Sequence, residues 1–167
     1  MRVINIEIKA KIKDPVKIRK ILESLRAEFR GLDRQIDTYF NVLSGRLKLR
    51  EGRIENSLIY YKRKNKKGPK ESDILLYKTA PGGELKELLS SALGVKTVVD
   101  KERGIYFLKN VKFHIDKVKG LGSFAEIEAM GKKASEKKKL LRQCGFYMKL
   151  FGITGKDLLS GSYSDMV

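Results

Sequence analysis

Within residues 3–13, apolar and polar residues alternate without a break from Ile4 to Lys13. Ile4, Ile6, Ile8, Ala10 and Ile12 fall on one side, and Asn5, Glu7, Lys9, Lys11 and Lys13 on the other. Side chains of a strand point to its two faces in turn, so this period of two predicts a strand with one apolar face. Asp14-Pro15 then reads as a helix cap and a first helical residue. Ile18, Ile21, Leu22, Leu25 and Phe29 form one helical stripe, with Gly31 placed to end the helix.

The same patterns predict strands over 35–41, 46–50, 56–64, 72–79, 95–99, 105–108, 111–118 and 123–130. The run 64–70, rich in lysine and containing Gly68-Pro69, reads as a hairpin loop. Residues 81–93 read as a helix, with Leu85, Leu88, Leu89 and Ala92 on one side and Gly94 as its stop. Residues 135–151 read as a basic helix with the stripe Leu140, Leu141, Cys144, Met148 and Phe151, and a short helix is expected near 156–159. About eight strands interrupted by about four helices, with no linker, predict one α+β domain over 1–167.

Composition narrows the chemistry. No apolar run approaches the ~20 residues that span a bilayer. The start carries charge too early for the core of a signal peptide, so a soluble, cytoplasmic protein is expected. Cys144 is the one cysteine and His114 the one histidine. They cannot furnish a zinc site of the usual nitrogen and sulfur type, and they argue against a Ser-His or Cys-His hydrolase. Any metal would be held by carboxylates, and oxygen ligands favour Mg²⁺ or Mn²⁺. Lysine and arginine number 37 against 20 acidic residues, a net charge of +17. Such a surplus attracts anions, whether nucleic acid, acidic membrane or a small polyphosphate.

Several strands carry charge at period two. Glu7, Lys9 and Lys11 form one file, Arg46, Lys48 and Arg50 another, Lys101 and Arg103 a third, and Glu126 and Glu128 a fourth, with Asp116 beside them. A half-buried strand often shows a polar outer face, which would account for each file alone. Two features point further. The signs are segregated along the chain, and arginine recurs where lysine or threonine would suit water equally well. Arginine's planar fork donates two parallel hydrogen bonds to a phosphate. If the strands close with these faces inward, the result is a basic tunnel with one acidic wall. A triphosphate with its metal fits that requirement.

Segments along the whole chain form a series. It opens with Asn-Ile-Glu-Ile-Lys-Ala-Lys at 5–11, Asp-Thr-Tyr-Phe at 37–40 and Gly-Arg-Leu-Lys-Leu-Arg-Glu at 45–51. It continues with Leu-Ile-Tyr-Tyr-Lys-Arg at 58–63, Gly-Pro-Lys-Glu-Ser-Asp at 68–73 and Lys-Glu-Arg at 101–103. His-Ile-Asp-Lys-Val-Lys-Gly-Leu-Gly-Ser-Phe-Ala-Glu-Ile-Glu at 114–128 and Gly-Ser-Tyr-Ser-Asp at 161–165 complete it. In this order the segments resemble the CYTH superfamily, the triphosphate tunnel metalloenzymes. The resemblance implies a closed eight-stranded antiparallel β-barrel with helices packed outside. It also implies an enzyme that binds inorganic tripolyphosphate, thiamine triphosphate or a nucleoside triphosphate with Mg²⁺ or Mn²⁺.

The resemblance further implies roles for single residues. Glu7, Asp116, Glu126 and Glu128 would hold the metal. Lys9, Lys48, Arg50, Arg63, Lys101 and Arg103 would hold the phosphates, with Glu7, Lys9 and Arg50 nearest the reaction. Lys62 has the opposite parity to Arg63 and is not expected to join them. The family opens on Glu-x-Glu-x-Lys, whereas this chain has Asn5 at the first position, as do class IV adenylyl cyclase-like members. An amide can coordinate through its carbonyl oxygen but brings no charge, which weakens the expected hold on a second metal.

His114 shares the face of Asp116 and reads as a hydrogen-bonded structural residue or a general base. Tyr39 and Tyr163 read as packing residues or hydroxyl donors. Three activities remain open: hydrolysis of a triphosphate, cyclisation of ATP to cAMP and pyrophosphate, and binding of a polyphosphate or nucleotide without reaction. The expected partner is a small-molecule triphosphate and not a membrane. No RNA-binding motif or helix-turn-helix signature supports nucleic acid. A homodimer is compatible with the sequence.

Overall fold

The computed structural model of the protein describes residues 2–167, with side chains from Ile4 onward. Among the described residues there are eight strands. They are β1 (Arg2–Lys11), β2 (Glu28–Phe40), β3 (Arg46–Glu51), β4 (Ser57–Arg63), β5 (Lys70–Lys78), β6 (Val95–Leu108), β7 (Val111–Val118) and β8 (Gly122–Gly131). They close into an antiparallel barrel in the order β1-β5-β4-β3-β2-β6-β7-β8, and β1 pairs with β8 to complete the ring. Helices α1 (Pro15–Ser24), α2 (Leu85–Leu93) and α3 (Lys137–Leu150) lie outside it.

The barrel is inverted relative to a filled one. The apolar file Ile6, Ile8 and Ala10 of β1 points outward and joins Phe113 and Ile115 of β7 and Ala125, Ile127 and Ala129 of β8. Ile18 and Leu22 of α1 and Leu140 and Cys144 of α3 cover this surface. Each fully buried Ile or Leu here contributes roughly 1.5–3 kcal/mol. The principal core therefore lies between barrel wall and helices, which leaves the interior free for charge. Cys144 is packed there, its thiol 3.2 Å from the Ile6 carbonyl and its pKa pushed up to about 12 by burial, so it is an inert core residue.

Four boundaries differ from the sequence pattern. Helix α1 ends at Ser24, not near Gly31, because Arg26 adopts a left-handed φ of 57° and turns the chain into β2. Gly31 instead serves an irregularity in the pairing of β2 with β6, where its φ is 129° and a Cβ would meet Ile54 Cδ1 at 2.8 Å. Phe29 consequently stacks on Tyr106 from a strand. The segments 95–99 and 105–108 are one continuous strand through Gly104. Helix α2 begins only at Leu85, since Gly82 and Gly83 hold positive φ. No helix forms at 156–159, where turns lead to a bridge between Leu158 and Ala10.

Candidate functional site

The inward positions of the strands enclose a cavity of about 550 Å³. Antiparallel register brings together residues that the sequence separates. Arg103 stands across from Asp116, Lys9 from Glu126, Glu7 from Glu128, and His114 from Glu126. Lys48 and Arg50 of β3 and Lys101 of β6 converge on one carboxylate. Asp37 Oδ2 accepts from Lys101 Nζ at 2.7 Å, Arg50 NH2 at 2.9 Å and Lys48 Nζ at 3.1 Å, and Arg50 Nε donates to Oδ1 at 2.9 Å. Burial alone would raise the pKa of Asp37, but Arg50, Lys101 and Lys48 outweigh it and hold the carboxyl well below its usual range. Burial and Arg103 push Lys101 down, and Asp37 offsets this in part.

A second group lies across the lumen. Arg103 spans Asp116 with Nε–Oδ1 of 2.7 Å and NH2–Oδ2 of 2.6 Å, and also lies 3.1 Å from Glu126 Oε1. Lys9 Nζ reaches the same Glu126 oxygen at 3.1 Å. Burial works against the charge of Glu126, yet Arg103 and Lys9 keep its pKa well below the ordinary value. Arg63 pairs with Glu7 and donates to Ser162 Oγ at 2.6 Å.

The C-terminal segment is packed into the barrel: Tyr163 OH donates to Asp116 Oδ2 at 2.7 Å, and its ring lies 3.9 Å beneath Lys9 Nζ. Arg46 fixes the same segment through Asp165 at 2.9 Å. Elsewhere the cavity is lined by Ile54, Ile59, Ile74, Leu76, Ile105 and Phe107, and exposed Arg30 and Lys78 also border it. Glu55 bridges Arg50 and Lys112, and those two cations, after opposing burial, pull its pKa down.

Every cation expected to line the tunnel is placed there: Lys9, Lys48, Arg50, Arg63, Lys101 and Arg103 all border the cavity. Lys62 is exposed, as its parity requires. The carboxylates divide differently. Glu126 and Glu128 form a cluster with His114 whose ligand atoms all lie within 4.8 Å of one another. Glu7 faces Glu128 across the strands but is engaged by Arg63. Asp116 is taken up by Arg103 and Tyr163.

Several site residues lay outside the sequence reading. Asp37 and Glu55 are the internal counter-ions, and Lys112 adds a cation to the lining. Beside the cavity, across from Glu7, Lys70 is 1% exposed, donates to the Leu159 carbonyl at 2.8 Å, and has its pKa lowered to about 7 by burial, with Arg63 and Lys9 adding to the shift. Asp37 lies in the segment Asp-Thr-Tyr-Phe at 37–40, but nothing local distinguishes it from a surface aspartate.

A closed antiparallel barrel with charged residues of both signs facing inward is the architecture these residues define. The model of the CYTH domain matches residues 3–163, and the chain belongs to that family. A curated relative from Methanocaldococcus jannaschii, whose name proposes an adenylate cyclase, is 28% identical over 98% of each chain. The solved structure of a Pyrococcus horikoshii protein is 25% identical, covers 100% of this chain and 99% of its own, and superposes with a TM-score of 0.80. A Hippeastrum protein, described as an adenylyl cyclase candidate with a dominant triphosphatase activity, shares the fold at 14% identity and a TM-score of 0.56, covering 95% of this chain and 91% of its own.

Proposed function

We propose that this protein binds a triphosphate within the barrel, together with Mg²⁺ or Mn²⁺, and hydrolyses it. The observation that carries this reading is the convergence of Lys48, Arg50 and Lys101 on Asp37. Two buried cations, Arg50 and Lys101, and the half-buried Lys48 on one carboxylate leave a net positive charge in a low-dielectric site, where a polyanion is favoured far more than in water. Arg50, Lys48 and Lys101 would hold phosphate oxygens on one wall, and Lys9, Arg63 and Arg103 on the other. Glu126 and Glu128, with Glu7 and Asp116 near them, are the assigned metal carboxylates. A bound divalent cation would offset phosphate charge as it develops during transfer. Glu7, Lys9 and Arg50 lie nearest the reacting phosphate in this account. A lone buried cysteine fits a reducing compartment, and we assign the protein to the cytoplasm on that ground.

A second reading is favoured by one feature, the six apolar side chains in the cavity lining. A bare polyphosphate has no use for them, whereas a nucleobase or other heterocycle does. An organic triphosphate is thereby the better substrate, and cyclisation of ATP stays in competition with hydrolysis. Binding without turnover is the third outcome. Incubation with ATP, thiamine triphosphate and tripolyphosphate, each with Mg²⁺ or Mn²⁺, separates them when cAMP, pyrophosphate and phosphate are resolved. Phosphate release supports the hydrolase, cAMP the cyclase, and tight binding without products the sensor.

A further inference from the structure

Among the described residues of the tunnel, His114 holds a place that the phosphate cage does not explain. It is 1% exposed on β7 and points into the lumen beside two carboxylates from β8. Its Nδ1 lies 3.0 Å from Glu126 Oε2 and 3.6 Å from Glu128 Oε1. Its Nε2 is buried with no partner. A histidine kept for packing alone normally satisfies both ring nitrogens when buried. Asn5, 3% exposed, lines the same cavity, and its Oδ1 also has no partner.

We propose that His114 is a metal ligand through Nδ1, and that this nitrogen turns the Glu126–Glu128 site toward Mn²⁺, Co²⁺ and similar ions over Mg²⁺. The spacing carries the point. Two ligands about 2.1 Å from an octahedral ion and at right angles to each other stand about 3.0 Å apart. The Nδ1–Oε2 separation, a hydrogen bond in this structure, is already of that length, and the Nδ1–Oε1 separation needs only a small inward shift. An imidazole and two carboxylates occupy one side of an ion and leave the remaining positions for water and phosphate oxygens. Imidazole suits transition ions, whereas Mg²⁺ prefers oxygen alone. The hydrogen on Nδ1 must move for this to happen, and Nε2 is the nitrogen that then carries it. The inference rests on the proposed function only in requiring that a cation binds.

The test uses the tag-free protein with Mn²⁺ and pulsed electron paramagnetic resonance. The chain has one histidine, so labelling with ¹⁵N-histidine assigns any histidine coupling to His114. A directly bound nitrogen whose frequency changes with the label is the expected result. His114→Asn should abolish it and lower Co²⁺ affinity about tenfold while changing Mg²⁺ affinity less than about threefold. The labelled parent keeps the test decisive even if the variant folds poorly. Bound Mn²⁺ without nitrogen coupling would overturn the inference and leave the triphosphate reading standing. Failure of any divalent ion to bind, with or without tripolyphosphate, would overturn both the inference and the metal dependence proposed above.

Discussion

Lys101 Nζ donates to Asp37 Oδ2 at 2.7 Å inside a wall where neither residue is more than 2% exposed. Asp37 also receives Arg50 and Lys48, so its charge compensates three cations at once. Replacing Asp37 by asparagine keeps the shape and removes the charge. Breaking a buried pair in this way costs about 3–5 kcal/mol. Thermal unfolding should therefore occur at a clearly lower temperature, and tripolyphosphate should raise the midpoint more in Asp37→Asn than in the parent. Equal rises would show that bound phosphate does not take over the role of Asp37.

Acid should unfold the protein in two stages. His114 has its pKa lowered from 6.5 by burial and by Arg103, so the unfolded chain takes up that proton while the folded one resists. Stability is thus lost gradually as pH falls below about 6.5. Asp37 and Glu126 are held below ordinary values of 3.8 and 4.5, so their contribution is complete above those values and is lost as pH falls through them toward the folded pKa. Urea midpoints measured across this range should show a shallow decline and then a steep one. His114→Asn should remove the shallow part. A midpoint independent of pH down to 4 would contradict the assignment.

Ligand binding should carry a proton with it. Lys70 is pushed down to about 7 by burial, with Arg63 and Lys9 as the nearest cationic causes. A polyanion that pairs with Arg63 and Lys9 relieves that pressure and raises the Lys70 pKa. At pH 8 tripolyphosphate binding should then draw in a fraction of a proton. Calorimetry in Tris and in HEPES reads this as different apparent enthalpies. The difference should disappear in Lys70→Met, and identical enthalpies in the parent would refute the coupling.

The turn between β3 and β4 has little tolerance. Asp33 accepts the backbone N–H groups of Arg53, Ile54 and Glu55 at 2.7, 3.0 and 3.0 Å. A Cβ on Gly52 would lie 2.5 Å from Asp33 Oδ2 and 2.9 Å from the Glu55 carbonyl. Gly52→Ala should displace the turn that aims Glu55 at Arg50 and Lys112, costing about 1–3 kcal/mol. Urea denaturation measures this directly, and an unchanged midpoint would mean that the turn adapts freely.

Sequence periodicity exposed the parts of the architecture that are local. The alternation of β1 separated Glu7 and Lys9 from Ile6 and Ile8, and the structure places these pairs on opposite faces. The file of Lys48 and Arg50 was equally legible. The end of α1 was not, because a left-handed arginine at 26 did the work expected of Gly31. Asp37, Glu55 and Lys70 were hidden for a different reason. Their environment comes from strands far away in the chain, and a single buried carboxylate leaves no pattern around itself. His114 was visible only as a polar residue on the face of Asp116, since its relation to Glu126 exists only through the pairing of β7 with β8.

In this account enclosed cations, and not the overall charge of +17, select the ligand. Calorimetric titration with tripolyphosphate tests it on four variants. Lys48→Ala and Arg50→Ala alter the cage, whereas Lys66→Ala and Lys138→Ala alter exposed lysines. A charge-assisted hydrogen bond is worth about 1.5–3 kcal/mol, so each cage variant should lose roughly tenfold to a hundredfold in affinity. The surface variants should stay within about twofold, and the contrast should persist at moderate salt because enclosed charges are screened less. Equal losses from cage and surface substitutions would contradict the account and mark the charge as a diffuse attractor of anions.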